Sequence, residues 1–132
     1  MTVVLDTDVL VDFLHKREPS TAYLADLRAR GETLATTSVN AGELWRGARS
    51  TVAREAVLKL LTALHDVPYG PRAARRFGEI MEALDRAGNP IGNTDGMIAA
   101  ATLEAGGRVV TRNAKEFRRV PGLDVLVPKR GA

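Results

Sequence analysis

The sequence lacks several features on which whole classes of proteins depend. It contains no cysteine, which excludes disulfides, thiolate nucleophiles, zinc fingers and iron–sulfur clusters. Aromatic residues make up only 5% of the chain, and no aromatic platform for stacking nucleic-acid bases is visible. No apolar run reaches the roughly 18 residues of a membrane span, and the first residues do not have the pattern of a signal peptide. We therefore expect a cytoplasmic protein without a membrane partner.

Several catalytic motifs are also absent. The sequence has no Ser/His/Asp arrangement, Walker loop or G-x-G-x-x-G motif, and the two histidines, His15 and His65, stand alone. The net charge is only +3, from 19 Lys and Arg against 16 Asp and Glu. Arginine outnumbers lysine, however, and occurs in clusters, which favours bidentate contacts with phosphate. These clusters indicate either nucleic-acid binding or solvated helix faces. Because the other catalytic motifs are absent, metal-dependent catalysis is the class that remains.

The stretch from Thr2 to Leu14 carries the first positive signal. Residues 3–5 form a short apolar run, which is typical of a strand covered on both faces. Asp6, Thr7 and Asp8 end this run, and apolar residues then return at helical spacing. Either Thr7 or Asp8 can cap the helix, which leaves Asp6 as a surplus acid. Asp6 would then lie at the carboxyl end of a strand, where ligands bind in open α/β sheets.

Strand and helix patterns alternate along the whole chain. Further strands are predicted at residues 33–36, 65–67, 108–111 and 123–127, with helical patterns between them. We predict one domain over residues 1–132, an α/β/α sandwich with a central, mostly parallel sheet of four or five strands. Residues 128–132 are predicted to form a flexible basic tail.

Four further polar residues lie near a predicted strand end or helix start. Glu43 lies in the helix after the second strand, and Asp95 lies in the first turn of a helix for which Thr94 is a good cap. Asn113 and Glu116 follow the fourth strand. Each has a structural explanation, because Glu43 can pair with nearby arginines and Asp95 can interact with a helix dipole. All of them nevertheless belong to the edge where a parallel sheet gathers its binding site.

Carboxylates gathered at one edge of a sheet require compensation. At a separation of ~5 Å each pair repels by about 3 kcal/mol, for an effective dielectric constant of about 20. Such a cluster needs protons or a cation, and hard oxygen ligands suit Mg²⁺ or Mn²⁺. Ions held in this way activate water and stabilise an in-line phosphoryl displacement.

Four segments carry a resemblance to a known family. They are Leu-Asp-Thr-Asp-Val-Leu from residue 5, Thr-Ser-Val-Asn-Ala-Gly-Glu-Leu-Trp-Arg-Gly from residue 37, Asn-Thr-Asp-Gly-Met-Ile-Ala-Ala-Ala-Thr-Leu from residue 93 and Val-Val-Thr-Arg-Asn-Ala-Lys-Glu-Phe from residue 109. In this order they resemble the PIN-domain family and, more closely, the VapC-type toxins of prokaryotic toxin–antitoxin pairs. The resemblance covers the whole chain.

The resemblance implies a Mg²⁺- or Mn²⁺-dependent endoribonuclease whose metal ligands match Asp6, Glu43 and Asp95. The family often has an aspartate where this chain has Asn113, and Glu116, one helical step further, is the acid that can replace it. The resemblance also implies a toxin that inhibits translation, forms a homodimer and is held silent by a small VapB-type antitoxin.

Neighbouring residues complete the expected site. Thr111 matches a hydroxyl position beside the acids, where it would orient an acid or a water molecule. Arg112, Lys115 and Arg46 are the residues expected to hold the RNA strand.

Two alternatives remain open from the sequence. The first is a non-catalytic module that binds nucleic acid or an antitoxin, with Asn113 marking a decayed site. The second is a receiver-type phosphoacceptor domain, which needs a phosphorylatable aspartate at the end of a central third strand. The third predicted strand, His65-Asp66-Val67, offers no such residue after it.

Overall fold

The structure, a computed structural model, describes residues 1–130, in which five strands alternate with seven helices. The strands are β1 (Thr2–Leu5), β2 (Thr33–Thr37), β3 (His65–Val67), β4 (Arg108–Val110) and β5 (Val125–Leu126). The helices are α1 (Thr7–Leu14), α2 (Ser20–Ala29), α3 (Ser38–Gly47), α4 (Thr51–Thr62), α5 (Pro71–Arg86), α6 (Asn93–Glu104) and α7 (Ala114–Phe117).

The five strands form one parallel sheet in the order β3-β2-β1-β4-β5. This confirms the predicted α/β class and the parallel sheet. Strands β2 and β3 lie on one side of β1, and β4 and β5 lie on the other. The strand order therefore reverses at β1, and parallel sheets bind ligands at the carboxyl end of the strand where this reversal occurs. Because β3 lies at the edge of the sheet, the receiver-type alternative, which needs a central third strand, is excluded.

Helices cover both faces of β1, which explains its continuous apolar run. Val3 and Leu5 pack with buried side chains of α1–α4 on one face. Val4 points to the other face, where it packs with Ala73 of α5 and Ala101 of α6. The three layers confirm the predicted sandwich.

Several predicted boundaries differ from the structure. The helix that carries Asp95 begins at Asn93, with Gly92 at its N-cap position, so Thr94 lies inside the first turn instead of capping it. The last strand spans only residues 125–126 instead of 123–127, β2 extends one residue further than predicted and β4 ends one residue earlier. All these differences lie at ends of elements, which a sequence pattern defines only to within a few residues.

The carboxyl-terminal segment is described in part. Pro128 is buried, Lys129 and Arg130 are exposed, and residues 131 and 132 of the predicted tail lie outside the described residues. The flexibility of residues 128–132 therefore stays a prediction. Within residues 1–130, no helix combines the length and the apolar character that crossing a membrane requires.

Candidate metal centre at the carboxyl edge of the sheet

Asp6 lies at the centre of the site, directly after β1. Its Oδ1 accepts hydrogen bonds from the Thr7 amide at 2.8 Å and from Asn40 Nδ2 at 3.0 Å, while its Oδ2 accepts one from Thr111 Oγ1 at 2.7 Å. Asp6 itself is the N-cap of α1, so the expectation that Thr7 or Asp8 provides the cap is wrong. Asp6 is the last residue with extended backbone, and an extended residue before a helix is where capping occurs. The side chain is 8% exposed and thus combines the cap with a place in the site.

Glu43 reaches the same edge from α3. Its Oε1 accepts a hydrogen bond of 2.6 Å from the hydroxyl of Thr7, the residue next to Asp6. Among residues 1–130, neither Arg46 nor Arg49 forms an ion pair with it, so the alternative of a helical ion pair is not observed. Glu43 is joined to the carboxyl end of β1 instead.

Asn40 connects these two acids and was not predicted as a site residue. It is completely buried, and its Nδ2 donates to both Asp6 Oδ1 and Thr7 Oγ1, at 3.0 and 2.9 Å. Its Oδ1 accepts from the hydroxyl of Thr37, the N-cap of α3, at 2.6 Å. A polar residue within a helix, three positions before Glu43, is the signal that the sequence offers. Its importance depends on partners more than thirty residues away.

Asp95 and Glu116 form the opposite side of the site. Burial, a hydrogen bond with Glu116 and the negative charges of Asp6, Glu116 and Glu43 raise the pKa of Asp95 from 3.8 to about 7. Glu116 Oε1 also accepts from the amide of Gly92, at the start of α6, at 3.2 Å. The acid that follows β1 and those of α3, α6 and α7 therefore influence one another electrostatically.

Thr111 and Asn113 lie in the turn after β4. Thr111 is fully buried, and besides donating to Asp6 its hydroxyl accepts from the Asn113 amide at 3.0 Å. Asn113 is exposed and occupies the N-cap position of α7 without a capping side-chain bond. Its amide oxygen is therefore not committed to the helix. The expected hydroxyl beside the acids is present, and it holds Asp6.

The basic residues that the sequence suggests for RNA lie in different settings. Arg46 and Lys115 are exposed on α3 and α7. Arg112 is half exposed, and its Nε forms an ion pair with Asp12 Oδ2 at 2.9 Å. None of the ion pairs described for residues 1–130 joins these three basic side chains to Asp6, Glu43 or Asp95.

The atoms available as metal ligands at this edge suit a hard divalent cation. They are oxygen atoms of carboxylates, hydroxyls and an amide, which Mg²⁺ and Mn²⁺ prefer and which zinc sites rarely use alone. Within residues 1–130 no three Asp, Glu or His side chains are placed so that, as they stand, they could hold a metal ion together. Hydroxyl protons and the raised pKa of Asp95 instead balance the acids, since Thr7 bonds Glu43 and Thr111 bonds Asp6. Deprotonation of Asp95 would leave negative charge that a cation can neutralise.

Comparisons with known proteins identify the family and the fold. The model of the PIN domain family matches residues 3–123. The chain is 33% identical to "VapC ribonuclease Y4jK" of Sinorhizobium fredii, with 96% of each protein covered. It is 36% identical to "tRNA(fMet)-specific endonuclease VapC" of Salmonella typhimurium, over 67% of this chain and 70% of that protein. In fold it is similar to VapBC2 from Rickettsia felis, solved bound to a promoter DNA fragment, with a TM-score of 0.85, 27% identity and 96% and 98% of the two chains covered.

Proposed function

The chain belongs to the PIN domain family, and on that premise we propose that it is a divalent-metal-dependent endoribonuclease that hydrolyses RNA phosphodiester bonds. The observation that carries the proposal is that Asn40 and Thr7 join Asp6 and Glu43 at the carboxyl end of β1, near enough to Asp95 for their charges to raise its pKa. This acidic cluster lies where the strand order reverses. Relatives named ribonuclease or endonuclease support the reaction class.

Asp6, Glu43 and Asp95 are the residues proposed to hold Mg²⁺ or Mn²⁺, with Asn113 or Glu116 as the fourth ligand. The chemistry that such an ion supplies when bound is activation of water and stabilisation of charge on the phosphate. The protein's own part is orientation: Thr111 and Asn40 fix the two oxygens of Asp6, and Thr7 fixes Glu43. We expect cleavage to leave a 5′-phosphate.

The RNA strand is proposed to contact the basic residues around the acids. Arg46 and Lys115 are exposed, and half of the Arg112 side chain is accessible. Guanidinium and ammonium groups bind phosphate oxygens without reading the base sequence. These residues would therefore contribute affinity, and the choice of RNA would be made elsewhere.

We also propose that the protein is the toxin of a toxin–antitoxin pair and a homodimer, silenced by a small VapB-type antitoxin. Several similar structures are VapBC complexes, among them those from Rickettsia felis and Salmonella typhimurium. A groove of about 480 Å³ between α1, α3 and α4 supports a peptide-binding role. Leu14, Leu44 and Val57 line it, and Glu43 lies on its wall, so an antitoxin bound there would reach the acidic site.

The test is a cleavage assay with purified protein and total RNA in Mg²⁺ or Mn²⁺, with EDTA as the blank. We expect 5′ ends that appear only with the ion, and none from Asp6→Asn or Asp95→Asn. Asp85→Asn, which removes an exposed acid from α5, is the matched control and should cleave normally. RNA binding without any cleavage would instead establish the non-catalytic module. Mapping 5′ ends in cells with and without the neighbouring upstream gene would test the antitoxin.

A further inference from the structure

Two carboxylates of α1 hold Arg112 at two different points. Asp8 Oδ2 accepts a hydrogen bond from the Arg112 amide at 3.0 Å, and Asp12 Oδ2 forms an ion pair with Arg112 Nε at 2.9 Å. Because residues four apart lie on the same face of a helix, one face of α1 binds both the main chain and the side chain of this residue. Neither Asp12 nor this pairing has a role in the cleavage proposed above.

Asp12 is a buried acidic side chain of α1 whose carboxyl group has several partners. It is only 3% exposed, and a carboxylate that is so deeply buried needs partners for its charge. Ser20 Oγ donates to Oδ2 at 2.7 Å, and Arg17 Nη1 lies 3.9 Å from Oδ1. Arg112 is thus the cation in closest contact with Asp12, and its side chain is tied to a rigid position on α1.

The anchored residue lies in the middle of the turn that carries two site residues. Thr111 precedes it and donates to Asp6, and Asn113 follows it with its amide bonded to the Thr111 hydroxyl. Only three residues separate β4 from α7, so a displacement of Arg112 moves both neighbours. The position of Arg112 therefore controls the hydroxyl that orients Asp6.

We propose that Asp12 and Arg112 are a positioning pair that locks the β4–α7 turn onto α1 and thereby keeps Thr111 and Asn113 in place for the metal site. This inference rests on the proposed function. It assigns Arg112 a role beyond holding RNA, because its Nε is already engaged by a buried carboxylate. Loss of Asp12, which takes no part in RNA binding, would weaken cation binding and the rate of cleavage and would leave the affinity for RNA unchanged.

The first measurement is made on the protein without ions. In Arg112→Gln and in Asp12→Asn we expect the amides of Arg112 and Asn113 to exchange with solvent about tenfold faster, since the ion pair that holds the turn against α1 is lost. Arg118→Gln is the matched control, since it removes an exposed positive charge close by without touching the turn. Its exchange rates should equal those of the wild type. Unchanged exchange in Arg112→Gln would overturn the lock.

The second measurement is Mn²⁺ titration by calorimetry together with cleavage kinetics. Both single variants should bind Mn²⁺ about tenfold more weakly and show a similarly lower kcat, as is usual when a residue that supports metal ligands is lost. The KM for RNA should stay the same in Asp12→Asn, because Arg112 keeps its charge in that variant. Unchanged kcat and unchanged Mn²⁺ affinity in both variants would overturn the proposal, and a higher KM in Arg112→Gln would then make Arg112 an RNA contact only.

The double variant Asp12→Asn/Arg112→Gln tests whether the two residues act as a unit. Since removing either one already breaks the pair, the double variant should be no worse than the poorer single variant. Effects that multiply would overturn the pairing. If Asp12→Asn fails to fold because its site is buried, the half-exposed Arg112→Gln still decides the question. If the wild type proves inactive on RNA, the proposed function fails, whereas amide exchange and Mn²⁺ titration continue to test the lock.

Discussion

At the scale of the residue, Asn40 is the side chain on which the orientation of the acids depends most. It is buried, and its amide joins Asp6, Thr7 and Thr37. Asn40→Leu keeps the branched shape of the side chain but replaces its amide with methyl groups, so these partners are left unsatisfied in the interior. We expect a loss of about 1–3 kcal/mol in the free energy of unfolding, and a loss of about 10–100-fold in the cleavage rate. Urea denaturation and single-turnover cleavage measure the two effects.

The control for Asn40 is Asn89→Leu, the same change at an exposed position after α5. It should change the free energy of unfolding by no more than about 0.5 kcal/mol and leave cleavage intact, as is usual on a surface. An Asn40→Leu variant with full activity would mean that the acids do not depend on this amide.

Asp95 makes the stability of the ion-free protein depend on pH. Its pKa is about 7 in the folded protein, against an ordinary value of 3.8, so the folded state binds the proton more tightly than the unfolded state does. Between these two values the free energy of unfolding should therefore fall as pH rises, and it should level off above the upper one. Asp95→Asn has no titrating group at this position, so its free energy of unfolding should fall less over this pH interval. Thermal denaturation in EDTA from about pH 4 to about pH 8 compares the wild type with Asp95→Asn.

The same proton competes with a cation for Asp95. Metal affinity should rise with pH through the pKa of this group, because its proton must leave before the carboxylate can serve as a ligand. The decline in ion-free stability and the gain in metal affinity thus have one cause. Equal pH profiles for the wild type and Asp95→Asn would show that another group is responsible.

At the scale of the element, the close packing of α5 against α6 sets the position of Asp95. Gly96 follows Asp95, and a Cβ added there would lie 2.5 Å from Met81 Sδ and 3.1 Å from Phe77 Cε1. Gly96→Ala should push the start of α6 away from α5. We expect it to destabilise the fold by about 1–3 kcal/mol, as overpacking commonly does, and to weaken Mn²⁺ binding. Thermal denaturation and calorimetry give the two values.

Gly78 provides the matched glycine for this experiment. It lies in α5 with nothing within 4 Å of an added Cβ. Gly78→Ala should stabilise the protein by up to about 1 kcal/mol, because alanine is the better helix former, and should leave metal binding unchanged. If both substitutions change the free energy of unfolding in the same direction, packing at Gly96 does not control the position of α6.

At the scale of the whole molecule, the sequence predicts what depends on chain order, and it misses what depends on distant partners. The parallel sheet and its three layers follow from alternating strand and helix patterns, and β3 falls on the predicted residues 65–67. The strand ends also place Asp6 beside Thr111, because Leu5 and Val110 are in register. The role of Asn40 could not be predicted, since a buried amide in a helix gives no periodic signal. Asp12 was not predicted either, because its partner Arg112 lies 100 residues further along the chain.

The assembled acids should make the stability of the whole fold depend on divalent ions. An ion that binds only the folded state at ~100 times its dissociation constant adds about 2.7 kcal/mol, which for a domain of this size raises the melting temperature by about 10 °C. We expect this rise with Mg²⁺ or Mn²⁺ at about pH 8, where Asp95 has lost its proton because its pKa is about 7. EDTA should reverse the rise, and Asp6→Asn should not show it. Asp85→Asn should keep the rise, and K⁺ at equal ionic strength should not produce it. An unchanged melting temperature in excess Mn²⁺ would mean that the converged carboxyl groups do not bind a cation, because strong binding to the folded state cannot leave its stability unaltered.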